Sequence, residues 1–352
     1  MFNINKEKVY LKDKSTKIKL ARDIKMEPEE IEIDLKKKHM LTWSAIIVIL
    51  ASYVVFLIVP NYLLNKFAPE NFQTYLDNNP YLSFIVNFLA MGILLVVLLP
   101  FLLDILDGRK SYKQFLKNMR ITKIKPILRI LGLGILSAVI ILALARFATY
   151  LGTIKQGFYL FDISKILGKE SSLYTSLFPG IWEEVAFRGI ILALLLKIYT
   201  EKKSIIVNGF LFGFFHLVNL LNFLFGVEYS LTTLVSILFQ VVYATAIGFF
   251  YAYLFVKTKS LIPSIISHYL VDALIILVSN VGNVNPFLFL AIMAIVGIGI
   301  LPSIINIVFV YFVYRKFPEK EDEYPQLQPE DEIEVQKEEE FSLDLNSSKE
   351  EI

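Results

Sequence analysis

The chain contains no cysteine, only three histidines among 352 residues, and few charges: Asp, Glu, Lys and Arg together make up 19%. Each shortage excludes something. Without cysteine there are no disulfides, thiolate zinc sites, iron–sulfur clusters or cysteine nucleophiles. With three histidines, imidazole chemistry has very few places to occur. An ordinary soluble domain is about 25% charged and about 45–50% apolar. Here 55% of residues are hydrophobic, 14% are aromatic, and the mean hydropathy is +0.58. The sequence also lacks a repeat period and the two-half symmetry that many transporters carry.

The apolar residues fall into eight long stretches, roughly 41–64, 81–103, 127–151, 172–196, 204–225, 231–256, 260–279 and 287–314. Each is long enough to cross ~30 Å of hydrocarbon as a helix. The first, second, sixth and eighth hold no charged residue or histidine. The pattern predicts an all-α fold, a polytopic membrane bundle of eight transmembrane helices. Cations flank alternate ends: Lys36 to Lys38, then Arg109 to Lys125, then Lys197, Lys202 and Lys203, then Lys257 and Lys259, and finally Arg315 and Lys316. Three of the intervening connections are poor in cations, with only Lys66 in 65–80 and none in 226–230 or 280–286, and the fourth, 152–171, is mixed. Lys and Arg are retained on the cytoplasmic side, so both termini are expected there, in a multi-pass protein of the cell membrane.

Three regions follow. Residues 1–40 are a basic cytoplasmic arm with 11 Lys/Arg against 8 Asp/Glu. Residues 41–316 are the eight-helix domain. Residues 317–352 carry 3 Lys/Arg against 14 Asp/Glu and are expected to be a disordered acidic tail. The polar arm lacks the apolar core of a cleavable signal peptide. Its lysines either lie against anionic lipid or belong to a solvated extension.

Ionisable groups are costly inside a bilayer, so those within the apolar stretches are informative. They are Arg129, Arg146, Glu183, Glu184, Arg188, His216, His268 and Asp272. Arg129 and Arg146 lie towards opposite ends of the third stretch, where long stems can carry the guanidinium to the interface. The other six are spaced for a site. Glu184 and Arg188 are four apart, on one helix face and in the favourable Glu-before-Arg order. Glu183 points about 100° away from Glu184, so one carboxylate can be held while its neighbour stays free. His268 and Asp272 are also four apart. Counted from the cytoplasmic ends, Glu183, His216 and His268 lie ~20, ~18 and ~12 Å deep at 1.5 Å per residue, so all six can converge on one site.

Two carboxylates and two imidazoles offer general acid–base catalysis. Imidazole can pass a proton or donate to a developing oxyanion, and Glu and His are also zinc ligands. The alternative is a polar network that locks three helices together.

The residues Trp182-Glu183-Glu184-Val185-Ala186-Phe187-Arg188 contain E-E-x-x-x-R, Phe212 to His216 give F-x-x-x-H, and His268 to Asp272 give H-x-x-x-D. In this order on successive membrane helices, they resemble the CPBP family, which comprises type II CAAX prenyl proteases and bacteriocin-processing or Abi-type proteins. The likeness covers about 172–280. It implies intramembrane peptide-bond hydrolysis in a cavity opening to the cytoplasm. By that resemblance Glu183 activates the attacking water with His216, His268 and residue 272 steady the oxyanion, and Glu184 and Arg188 hold the first motif in shape. The family has been described both as glutamate proteases and as metalloproteases. If a divalent metal such as zinc binds, Glu183, His216 and His268 are the implied ligands. One departure is Asp272, where prenyl-protein proteases tend to have Asn. An ionised carboxylate repels an oxyanion, so Asp272 is protonated, orients His268, or helps bind a metal.

The function expected is an intramembrane endopeptidase acting on a membrane-associated protein or peptide, with the lipid bilayer as its other partner and no nucleic acid. A non-enzymatic membrane scaffold or bacteriocin-immunity protein using the same cavity is the alternative. A proton-coupled transporter is a third class, disfavoured by the missing symmetry. Trp182, Phe187 and Phe212 are read as helix packing, Gly132 and Gly134 as sites of close helix approach, and Gln240 as an interhelical hydrogen bond.

Overall fold

The computed structural model describes residues 28–67, 79–152, 170–225, 230–278 and 286–317, with Pro69 and Tyr75. The first 27 residues of the basic arm, the loop 153–169 and the acidic tail beyond Phe317 lie outside the described residues.

Among the described residues the regular structure is entirely helical. Its elements are α1 (Pro28–Phe67), α2 (Pro80–Leu103), α3 (Tyr112–Asn118), α4 (Ile127–Gly152), α5 (170–196), α6 (Glu201–Phe215), α7 (Leu231–Thr258), α8 (Ile262–Val278), α9 (Pro286–Ile292) and α10 (Ile300–Lys316). Among the described residues six runs are long and apolar enough to cross a membrane: Lys36–Phe56, Pro80–Leu103, Ile127–Leu151, Glu201–Leu221, Leu231–Thr258 and Pro286–Lys316. The chain is a multi-pass membrane protein. Its outward side chains agree: Leu89, Leu238 and Phe312 are each more than half exposed, whereas Glu184 and Arg188 are wholly buried. A soluble protein rarely leaves apolar surface so widely open.

The other two stretches expected to cross are helical but differ in kind. Helix α8 has 17 residues, which span ~26 Å at 1.5 Å per residue. Helix α5 is broken into Glu170–Thr175, two π-helical segments, Pro179–Glu183 and Val185–Leu192, and a last turn at Ala193–Leu196. Residues 184–196 are all buried. The main core forms on this helix, where Val185, Phe187, Ile190 and Ile191 meet Ile46, Ile49 and Tyr53 of α1, Leu95 of α2, and Phe212 of α6. A second core joins α4, α7, α8 and α10 through Ile141, Phe250, Val271 and Val310.

The closest pairings are α6 with α7 and α4 with α8. Small residues make them possible, because backbones in lipid approach only where side chains are missing. A Cβ at Gly213 would stand 2.8 Å from the Val241 carbonyl, and one at Gly134 would stand 2.9 Å from the Pro263 carbonyl. Gly134 therefore serves as expected. Gly132 does not, since its missing Cβ opens on empty space.

The cation-rich connections meet at one end of the bundle. The Ser260 hydroxyl donates to the Lys123 carbonyl at 2.6 Å, and the Leu261 N–H donates to the Arg120 carbonyl at 3.2 Å. Lys257 pairs with Glu201 at 3.8 Å and Lys197 with Asp107 at 3.9 Å. Arg129 is structural, with its guanidinium 5.4 Å over the Tyr314 ring.

Candidate active site

The site begins with a close approach of two helices. At Gly180 of α5 an added Cβ would lie 2.8 Å from the Cα of Tyr269 on α8. This backbone contact sits three residues before Glu183 and one after His268. It brings the carboxylate pair of one helix against the imidazole of the other. Both π-helical segments flank Glu184. Such wide turns recur at functional sites because they re-aim side chains within a helix.

Arg188 Nη1 donates to Glu184 Oε1 at 2.9 Å, and both side chains are fully buried. His268 Nδ1 meets the same oxygen at 2.9 Å. Arg188 Nη2 donates to the Gly248 carbonyl of α7 at 3.4 Å, and the guanidinium lies 4.1 Å over Phe212 and 5.4 Å over Tyr251. The pair therefore ties α5 to α7, α8 and an aromatic ring of α6. Phe212 does more than pack, whereas Phe187 and Trp182 do pack: Phe187 lies edge-on to Phe212, and Trp182 lies against Phe88.

Glu183 faces the other way, into a cavity of about 380 Å³ that it shares with His216, His268 and Asp272. Its Oε2 lies 4.0 Å from His268 Nε2, and Asp272 Oδ2 lies 3.4 Å from the same nitrogen. His268 thus stands between Glu184 on its closed side and Asp272 and Glu183 on its open side. His216 Nδ1 lies 2.8 Å from the Phe212 carbonyl. A carbonyl only accepts, so Nδ1 is the donor in this bond. All six expected residues are brought together: four line the cavity, and Glu184 and Arg188 stand behind it.

The cavity wall holds groups that sequence spacing did not single out as part of a site. Asn219 Nδ2 donates to Gln240 Oε1 at 2.9 Å, joining the turn after α6 to α7. Gln240 thus makes the interhelical bond expected of it, but in the cavity lining. Tyr243, one turn on from Gln240, lines the same wall. The Tyr251 hydroxyl is spent on Ser267 at 3.3 Å. The available signal was the i, i+3 spacing of Gln240 and Tyr243 on a face shared with the core.

The implied zinc ligands Glu183, His216 and His268 share one cavity. Among the described residues, however, no three acidic or imidazole side chains are grouped to hold one ion. His268 already divides its nitrogens between carboxylates, so the donors form an ion-pair network and not a coordination shell.

Residues 171–274 match the family model described as type II CAAX prenyl endopeptidase Rce1-like. The matched segment begins in α5 and ends just beyond Asp272, and so holds all six residues. No curated protein and no solved structure matches the chain.

Proposed function

Residues 171–274 belong to the type II CAAX prenyl endopeptidase Rce1-like family, which makes this chain a CPBP-type intramembrane protease, and on that premise we propose that it hydrolyses peptide bonds of membrane-associated proteins or peptides with a water activated by Glu183 and His216. One observation carries the reading. Glu183 is the carboxylate left outside the Arg188 pair, in a cavity shared with a His216 whose ring is held by the Nδ1 bond to the Phe212 carbonyl.

Glu183 and His216 take a proton from water as its oxygen attacks the scissile carbonyl. The same proton is then delivered to the departing amine. An imidazole with carboxylate oxygens at both nitrogens satisfies both only as the imidazolium. His268 accordingly acts as a cation beside the developing oxyanion, positioned by Glu184 and Asp272. Asp272 serves as acceptor for His268, a role an acid fills where an oxyanion donor would fail. The Tyr243 hydroxyl is a further neutral donor in the cavity wall, beside the Asn219–Gln240 pair. Glu184 and Arg188 keep the helices in register and do not touch the reacting atoms.

The same reading puts both termini and the cation-rich end in the cytoplasm, with α5 and α8 completing eight crossings of the cell membrane. The test uses purified protein in liposomes and a lipid-anchored fluorogenic peptide. Glu183→Gln and His216→Ala should each lower turnover by about 10²-fold or more while the variants remain folded. Full turnover in both would overturn the assignment. A cellular phenotype that survives Glu183→Gln would favour the scaffold alternative.

A further inference from the structure

At the cation-rich end, α1, the turn after α2 and the last turn of α5 enclose a second cavity of about 390 Å³. Its charged lining is Lys37, Lys38, Lys197 and Asp104, with the Thr42 hydroxyl beside them, and its floor includes Leu106 and Leu194. Lys197 is 34% exposed, and its acidic neighbour Asp107 lies at 3.9 Å while also accepting from Lys110 at 3.1 Å.

The wall is built at a conformational cost. Asp104, Leu106 and Asp107 have φ of 50°, 51° and 64°, a region that L-residues visit rarely and leucine hardly at all. Dedicated bonds hold the turn. Arg109 donates to the Phe101 and Leu102 carbonyls at 3.1 and 2.7 Å, and Asn118 donates to the Leu106 carbonyl at 3.1 Å. Asp104 Oδ1 accepts the Arg109 N–H at 3.0 Å. Strain of this kind persists only where surrounding structure over-determines it, and it gathers at ligand clamps. Here its product is a cleft with Leu106, 2% exposed, under a cationic mouth. The rim runs into lipid-facing side chains, with Leu41 56%, Phe101 61% and Leu102 61% exposed.

We propose that this cleft binds the phosphate headgroup of an anionic membrane phospholipid. The lysines meet the phosphodiester, the leucines meet the glycerol end of the acyl chains, and Asp104 accepts from a headgroup hydroxyl. Basic pockets between membrane helices take lipid headgroups in this way. A free phosphate would use the lysines and leave the apolar floor and lipid-facing rim without purpose. The site is independent of the proteolytic chemistry.

The experiment uses full-length protein in neutral detergent, titrated with dioctanoyl phosphatidylglycerol, with dioctanoyl phosphatidylcholine and inorganic phosphate as separate arms. Thermal unfolding and direct binding are both read. Phosphatidylglycerol should bind and raise the unfolding midpoint, and the other two should do neither at the same concentration. Lys37→Gln, Lys38→Gln and Lys197→Gln combined should weaken binding about a hundredfold, at roughly 1 kcal/mol per lysine. The three Arg replacements should preserve binding, and Lys203→Gln, outside the cleft, should leave it unchanged. If the triple Gln variant does not fold, Lys197→Gln alone should weaken binding about fivefold. Wild-type affinity in the Gln variants would overturn the proposal. So would equal stabilisation by phosphatidylcholine, or by phosphate alone, which would make this an anion site and not a lipid site.

Discussion

Glu184 Oε1 is the atom on which the site depends, since it meets Arg188 and His268 at once. Removing the guanidinium leaves the fully buried carboxylate with only His268, which it shares with Asp272 and Glu183, and breaking such a buried pair typically costs ~3–5 kcal/mol. Arg188→Leu should therefore lower the unfolding midpoint or the membrane yield sharply. A stable but inactive variant would instead place Arg188 in the chemistry. Tyr243→Phe tests a different residue. It deletes one hydroxyl donor and little volume, so turnover should fall by ~10²-fold, as for an oxyanion-hole donor, with KM and folding nearly unchanged. The six acidic, basic and imidazole residues were legible in the sequence because charge inside an apolar stretch is conspicuous and four-residue spacings fix helix faces. Tyr243 was not, because it is one tyrosine among 18 and a phenol in lipid looks like any packed ring. Asp272 was legible as a position and ambiguous in role. Only its 3.4 Å approach to His268 Nε2 favours the part of an acceptor.

At the scale of elements, Gly180 carries the largest consequence. Its absent Cβ makes room for the Tyr269 Cα at 2.8 Å, and backbone cannot yield as a flexible side chain can. Gly180→Ala should push α8 away from α5 and part Glu184 from His268. Overpacking of this kind costs ~1–3 kcal/mol. The expected result is a moderately less stable protein with a much larger loss of turnover, measured by thermal unfolding and peptide cleavage on one preparation. Hydropathy revealed the six long helices because it records side-chain transfer summed over a window. It is blind to hydrogen-bond register, so the π-helical breaks of α5 went unseen. It also does not tell helix facing lipid from helix facing protein, and residues 184–196 of α5 are all buried despite the long apolar run that follows Arg188. Glycines in apolar stretches raise the same difficulty, since Gly134 and Gly132 look alike until α8 is seen against only one of them.

For the molecule as a whole, the absence of cysteine is an experimental advantage. Every introduced thiol is the sole target of a maleimide. Ser111→Cys, in an exposed turn at the cation-rich end, should react with a membrane-impermeant maleimide in inside-out vesicles and not in intact cells. The opposite pattern would reverse the orientation proposed above. Helix α5 also bears on how the protein is made. On insertion scales an ionised side chain opposes entry of a lone helix by about 2.5–3.5 kcal/mol near its centre, and α5 carries Glu183, Glu184 and Arg188 within six residues. Arg188 travels with it and neutralises one acid, but His268 and the Gly248 carbonyl lie on segments the ribosome has not yet made. The nascent helix therefore has no complete set of partners until α8 has been synthesised. Its lateral release from the translocation channel should wait for that moment, and a chain stopped before Ile262 should be a substrate for membrane quality control rather than a smaller stable protein.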